Sequence, residues 1–138
     1  MRTSDQADRV SELAWQALAI IRLVNGALAL VAPRWLARRL GVDPAAQPAM
    51  LYALRMFGIR TVLIGAELWV QPETRQRALR QGVMIHASDV TAAVIAGVFG
   101  QLPVRSALTA GGISTLNTVL AVFASARNAR RNATQQVR

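Results

Sequence analysis

Residues 104–126 read VRSALTAGGISTLNTVLAVFASA, and no charged residue falls between Ser106 and Ala126. About 20 predominantly apolar residues in a helix cross a hydrocarbon core of ~30 Å. A helix of a soluble bundle keeps a polar, usually charged outer face toward water. This stretch has no charge to give such a face, so it reads as a membrane span.

Three further stretches of similar length follow the same reading. They are 12–32 (ELAWQALAIIRLVNGALALVA), 49–70 (AMLYALRMFGIRTVLIGAELWV) and 80–100 (RQGVMIHASDVTAAVIAGVFG). The third carries only Asp89 and His86 as ionisable groups between Gln81 and Val104. The first two are harder to place. Arg22 lies near the centre of one and Arg60 at the centre of the other, and the mean hydropathy of the chain is only +0.30. A central arginine costs about 2.5–3.5 kcal/mol on the insertion scale, against about 0.3–0.6 gained per Leu, Ile, Val or Phe. These two spans therefore need their charges paired by neighbouring helices.

The expected architecture is all-α: a four-helix transmembrane bundle forming one domain over residues 1–138. Ala and Leu dominate a composition that is 53% hydrophobic and 5% aromatic, which favours helix over strand. The chain has no cysteine, so disulfides and thiolate metal sites are excluded. Its net charge of +9 comes from arginine alone, since there is no lysine. The arginines flank apolar runs and do not form a stripe interleaved with aromatics, so nucleic acid is not an expected partner. The N-terminal MRTSDQADRVSE is mixed in charge and reads as a helix start capped by Thr3, Ser4 or Asp5, not as a secretory signal.

PRWLARRLGVDPAAQP joins the first two spans. Pro33 suits an early helix position and Gly41 a helix stop. Trp35, Leu36 and Leu40 would face lipid while Arg34, Arg38 and Arg39 meet headgroups, giving a short interfacial helix. Pro72 should end the second span, and Pro103 separates the third from the fourth. Four spans put both termini on one side with nine arginines, against four on the other side. The positive-inside rule then places both termini in the cytoplasm of an inner or plasma membrane, with the tail ARNARRNATQQVR against anionic headgroups. Gly82, His86, Asp89, Ala93 and Gly97 share one stripe of the third span, and Thr61 and Gly65 form a small-xxx-small pair in the second. Small residues of this kind let helices approach closely in lipid.

Aligning the spans at the membrane midplane brings Arg22, Asn25, Arg60, Asp89 and Asn117 to similar depth. A second layer lies toward the termini. Glu67 is about 10.5 Å along the axis from Arg60, and His86 shares a face with Asp89, so Glu67 and His86 should meet. Arg55 sits on another face from Arg60 and either snorkels outward or pairs within the bundle. Intramembrane charges face the bundle interior or a cavity and seek partners. Three arginines against Glu67 and Asp89 leave a positive surplus if His86 is neutral, and arginine cannot shed its proton. The candidate ligand-binding set is therefore Arg22, Asn25, Arg55, Arg60, Glu67, His86, Asp89 and Asn117, with a small anionic or amphipathic molecule as ligand. A structural ion-pair network is one alternative. A membrane-embedded isomerase or cyclase using His86 with Asp89 or Glu67 as an acid–base pair is another. One histidine and two dispersed carboxylates make a poor metal site, and no cofactor motif is present. Membrane lipids and either further copies of the chain or another membrane protein are the expected partners.

RLVNGALALVAPRWLARRLGV and LRMFGIRTVLIGAELW resemble small four-span bacterial membrane proteins, loosely DoxX-like in size and span count. That family pairs a glycine-containing first helix, ending in Pro and a basic connector, with an Arg-x-x-Gly-x-Arg element in the second. The element here is Arg55, Gly58 and Arg60. Family members often place an acidic residue after the second arginine, where this chain has Thr61. The resemblance covers about the first half of the chain and implies a membrane bundle, with no activity attached. The membrane reading has a direct check: the protein should stay in the membrane pellet through alkaline carbonate washing and enter solution only with detergent.

Overall fold

A computed structural model describes the backbone over residues 2–70 and 73–136 and the side chains of Gln6, 9–70 and 73–126. The described residues form five helices: α1 (Arg2–Val31), α2 (Pro33–Arg39), α3 (Pro48–Val70), α4 (Arg75–Val98) and α5 (Val104–Gln136). Four of them contain stretches long and apolar enough to cross a membrane: Arg9–Val31, Pro48–Val70, Arg75–Val98 and Val104–Ala126. The chain is a multi-pass membrane protein. Only 17% of the most apolar 18 residues in each of the last three stretches is buried inside the protein, and large apolar side chains such as Leu63, Met84, Leu108 and Val119 point outward. Lipid is the medium that covers them.

Two local differences from the sequence expectation stand out. Helix α1 begins at Arg2, so Thr3, Ser4 and Asp5 lie within the helix and not at its cap. Nothing between them and Glu12 is a glycine or proline that would stop it. For the same reason α4 starts at Arg75, ahead of the expected 80. The expected stop at Pro72 and the side chains of the basic tail lie outside the described residues; the backbone of the tail is helical to Gln136.

The helices form two hairpins. Helix α1 packs mainly on α3, and α4 mainly on α5; α1 also meets α5, while α3 and α4 touch only sparsely. The α1–α3 contact is close because two glycines face each other. A Cβ on Gly58 would fall 2.7 Å from the Gly26 carbonyl oxygen and 2.8 Å from the Leu30 nitrogen. In the second hairpin Gly97 lies against Ala107, and Gly111 against Ala93. Ala14, Trp15, Leu18, Ala19, Leu68, Ala78, Leu79, Ala121 and Ala124 make the shared core, toward the terminal end of the bundle.

Polar contacts finish both ends. At the terminal end Trp15 meets Trp69 edge-on at 5.0 Å, and the Arg75 guanidinium stacks 4.0 Å over Trp15. Arg75 Nε also donates to the Leu68 carbonyl (3.1 Å), satisfying one of the open acceptors at the end of α3. Gln76 Nε2 donates to the Ser125 carbonyl and hydroxyl, both at 3.1 Å. At the other end α2 is seated through buried Pro33 and Ala37, while its arginines and Trp35 are exposed. Helix α2 closes in a Schellman turn, with Gly41 at φ +75° and Val42 N–H reaching the Ala37 carbonyl. Helix α4 ends the same way at Gly100.

The Gly26–Gly58 contact sets the first prediction. Gly58→Ala should destabilise the bundle by about 1–3 kcal/mol, since backbone must move to admit the methyl group. Gly112→Ala is the control: no atom lies within 4 Å of its added Cβ, so stability should hold or rise by up to about 1 kcal/mol. Reversible unfolding in detergent micelles measures both.

Candidate functional site

Arg22 is the largest fully buried side chain among the described residues, with 2% of its surface exposed. It leaves α1 and crosses the bundle to α4, where its Nε and Nη2 lie 3.1 and 3.0 Å from His86 Nε2. A guanidinium has only donors, so His86 Nε2 must present a lone pair. The ring proton then sits on Nδ1, which faces Asp89 Oδ2 at 3.6 Å. The three groups form a row: a fixed cation, a neutral imidazole oriented by it, and a carboxylate beyond. Two glycines make room for the arginine. A Cβ at Gly82 would overlap Arg22 Nη2, and one at Gly65 would press on the Arg22 Cβ.

The pairing is incomplete. Arg22 Nη1 is buried without a hydrogen-bond partner, and so is Asn117 Oδ1 on α5. Both side chains border a partly open cavity of about 60 Å³. Helix α1 supplies Arg22 and Asn25; α3 supplies Phe57, Arg60, Thr61 and Ile64; α4 and α5 supply the rest, including Asp89, Ser114 and Asn117. Enclosed sites for whole drug-sized ligands run to about 300–1,000 Å³. This one holds a few waters or a single small polar group. Arg60 is exposed on α3. Asp89, opposite on α4, has 31% of its side chain exposed.

Six of the eight sequence candidates line this cavity: Arg22, Asn25, Arg60, His86, Asp89 and Asn117. Arg55 and Glu67 do not. Arg55 is exposed on the outside of α3. Glu67 makes no ion pair with His86 among the described residues, because the long Arg22 side chain takes the place beside the imidazole. Glu67 acts instead on Arg22, together with Asp89. Arg60 is also not buried inward as its shared face with Glu67 suggested; it is an exposed cation on the cavity wall. Neither Arg55 nor Glu67 borders the cavity, so on its lining Arg22 and Arg60 stand against Asp89 alone. Glu67 acts on Arg22 from outside that lining. Sequence reasoning passed over Thr61 and Ser114 as lining groups, and over Gly82 as the clearance for Arg22. Its position one helical turn before His86 is the signal that was available.

Comparison with known protein families, with curated proteins and with solved structures finds no match to this chain. The fold and site define a small multi-pass membrane protein with a buried Arg22–His86 pair.

The pair makes a prediction of sign as well as size. His86→Ala leaves the Arg22 charge buried without its acceptor and should cost about 1–3 kcal/mol or more. Arg22→Met removes the charge while keeping apolar bulk, and should cost less. The double variant should be more stable than the sum of the two, by about 0.5–3 kcal/mol of coupling. Unfolding titrations of all four proteins in one detergent test this.

Proposed function

We propose that this chain is a small protein of the inner or plasma membrane that binds an anionic or amphipathic small molecule between its two hairpins. It acts as a binding protein or as a transporter-like or accessory subunit. The observation that carries this reading is the cavity itself, bordered by the unpaired, buried polar atoms of Arg22 and Asn117. Buried polar groups are nearly always satisfied. In a purely structural ion-pair network each member would have its partner, and here Arg60 has no ion pair or hydrogen bond with any described residue. The resemblance of the first half to four-span bacterial membrane proteins agrees with this size and setting and adds no chemistry.

The acid–base enzyme is the weaker alternative. Both nitrogens of His86 are engaged, Nε2 by Arg22 and Nδ1 toward Asp89. A general base needs a lone pair within reach of substrate, and this imidazole has none to spare.

An anion screen by thermal unfolding tests the binding reading. A true ligand at about 100 times its Kd should stabilise the protein by about 2.7 kcal/mol. That gain should vanish in Arg60→Gln. If no carboxylate, phosphate or anionic lipid raises the melting temperature, the polar cluster is structural. The proposed orientation, with both termini cytoplasmic, follows from the arginine bias. A reporter active only outside the cytoplasm should be silent when fused at residue 138 and active when fused in the 43–47 loop.

A further inference from the structure

We infer that the ligand is a single-chain carboxylate amphiphile, which enters sideways from the bilayer between α3 and α4. This rests on the binding reading above and narrows it by the size, depth and surroundings of the cavity. The site lies in the middle turns of four spans, where a hydrocarbon-borne molecule arrives more readily than a hydrated ion. Its volume of about 60 Å³ suits one carboxylate group better than the larger glycerophosphate head. The rest of such a ligand must therefore stay outside the cavity, and the walls suit a hydrocarbon tail. Phe57 and Ile64 on α3, Ile85 on α4 and Ile113 on α5 lie beside the polar groups. Met56 and Leu63 on α3 and Met84 on α4 are exposed.

Of the packed pairs among the four spans, α3 and α4 meet most sparsely, so the least rearrangement admits a chain there. Arg60 provides the reason for a negative head. It cannot neutralise itself by losing a proton, it sits halfway along α3, and it makes no ion pair within 4.0 Å among the described residues. A carboxylate accepts two parallel N–H bonds from such a guanidinium. Thr61 and Ser114 offer hydroxyl donors on the same lining. Asp89 is the internal competitor: it borders the same cavity, carries the same chemistry as the ligand head and is partly exposed. A bound carboxylate gives Arg60 the ion-pair partner it lacks, against the repulsion of Asp89 on the same lining.

The test uses the full chain in phosphatidylcholine nanodiscs with carboxyl-labelled dodecanoate, read by carbon NMR against empty nanodiscs. Acetate and dodecanol are the comparison probes. Dodecanoate should bind at least tenfold more tightly than acetate, and dodecanol should not displace it. Arg60→Gln should weaken binding at least tenfold with helix content unchanged, whereas Asp89→Asn should strengthen it severalfold. Dodecanoate binding no tighter than acetate would overturn lateral entry while leaving an anion site in place. Displacement by dodecanol would overturn the charged head. If none of the probes binds to either the native chain or Asp89→Asn, both the amphiphile and the binding reading fall.

Discussion

One constraint organises this molecule: a permanent cation in the middle of its first span has to find acceptors inside the bundle. In hydrocarbon no water replaces a missing partner, and arginine has no neutral form to fall back on. Arg22 meets this by spanning the bundle from α1 to His86 on α4. The two helices otherwise have little direct contact, so this side chain is a strut between the hairpins. The features around it follow. Glycines at 65 and 82 give it clearance, the imidazole is fixed in one tautomer, and Asp89 and Glu67 place negative charge within range.

The solution is partial, and the partial character sits where the packing is weakest. Each hairpin is held by close backbone contacts between small residues, while the apolar core they share lies toward the terminal end. Beyond that core the hairpins are separated by polar side chains and a small cavity. Trp15, Trp69 and Arg75 lock one end, and α2 with its Schellman turn closes the other. The middle is thereby left as a level at which the bundle has room to accept something.

Much of this was legible from residue order. Span lengths follow from runs of about 20 apolar residues between prolines and glycines, because a continuous run of that length satisfies its own backbone in hydrocarbon as a helix. Gly41 marked the end of α2 through its freedom to take positive φ, whereas the matching role of Gly100 at the end of α4 emerged only from the structure. The convergence of Arg22, Asn25, Arg60, Asp89 and Asn117 came from depth alone. Direction was less accessible. Glu67 and His86 were expected to meet at one depth, yet the long Arg22 side chain takes the imidazole as its acceptor. The exposure of Arg60 depends on how sparsely α3 and α4 pack, a tertiary property that no helical periodicity in one span records.

The strut also has a history within each molecule's synthesis. Arg22 and His86 are 64 residues apart in the chain. At translation rates of about 5–20 residues per second, the arginine leaves the ribosome some 3–13 s before its acceptor. For that interval the first span is a marginal guest in the bilayer, with its charge unanswered by the partner it has in the finished bundle. Helix α3 follows sooner, and its close glycine contact with α1 gives the early hairpin a reason to stay together while it waits. The contact that answers the buried charge in the finished bundle is thus absent during the step at which the first span commits to the membrane.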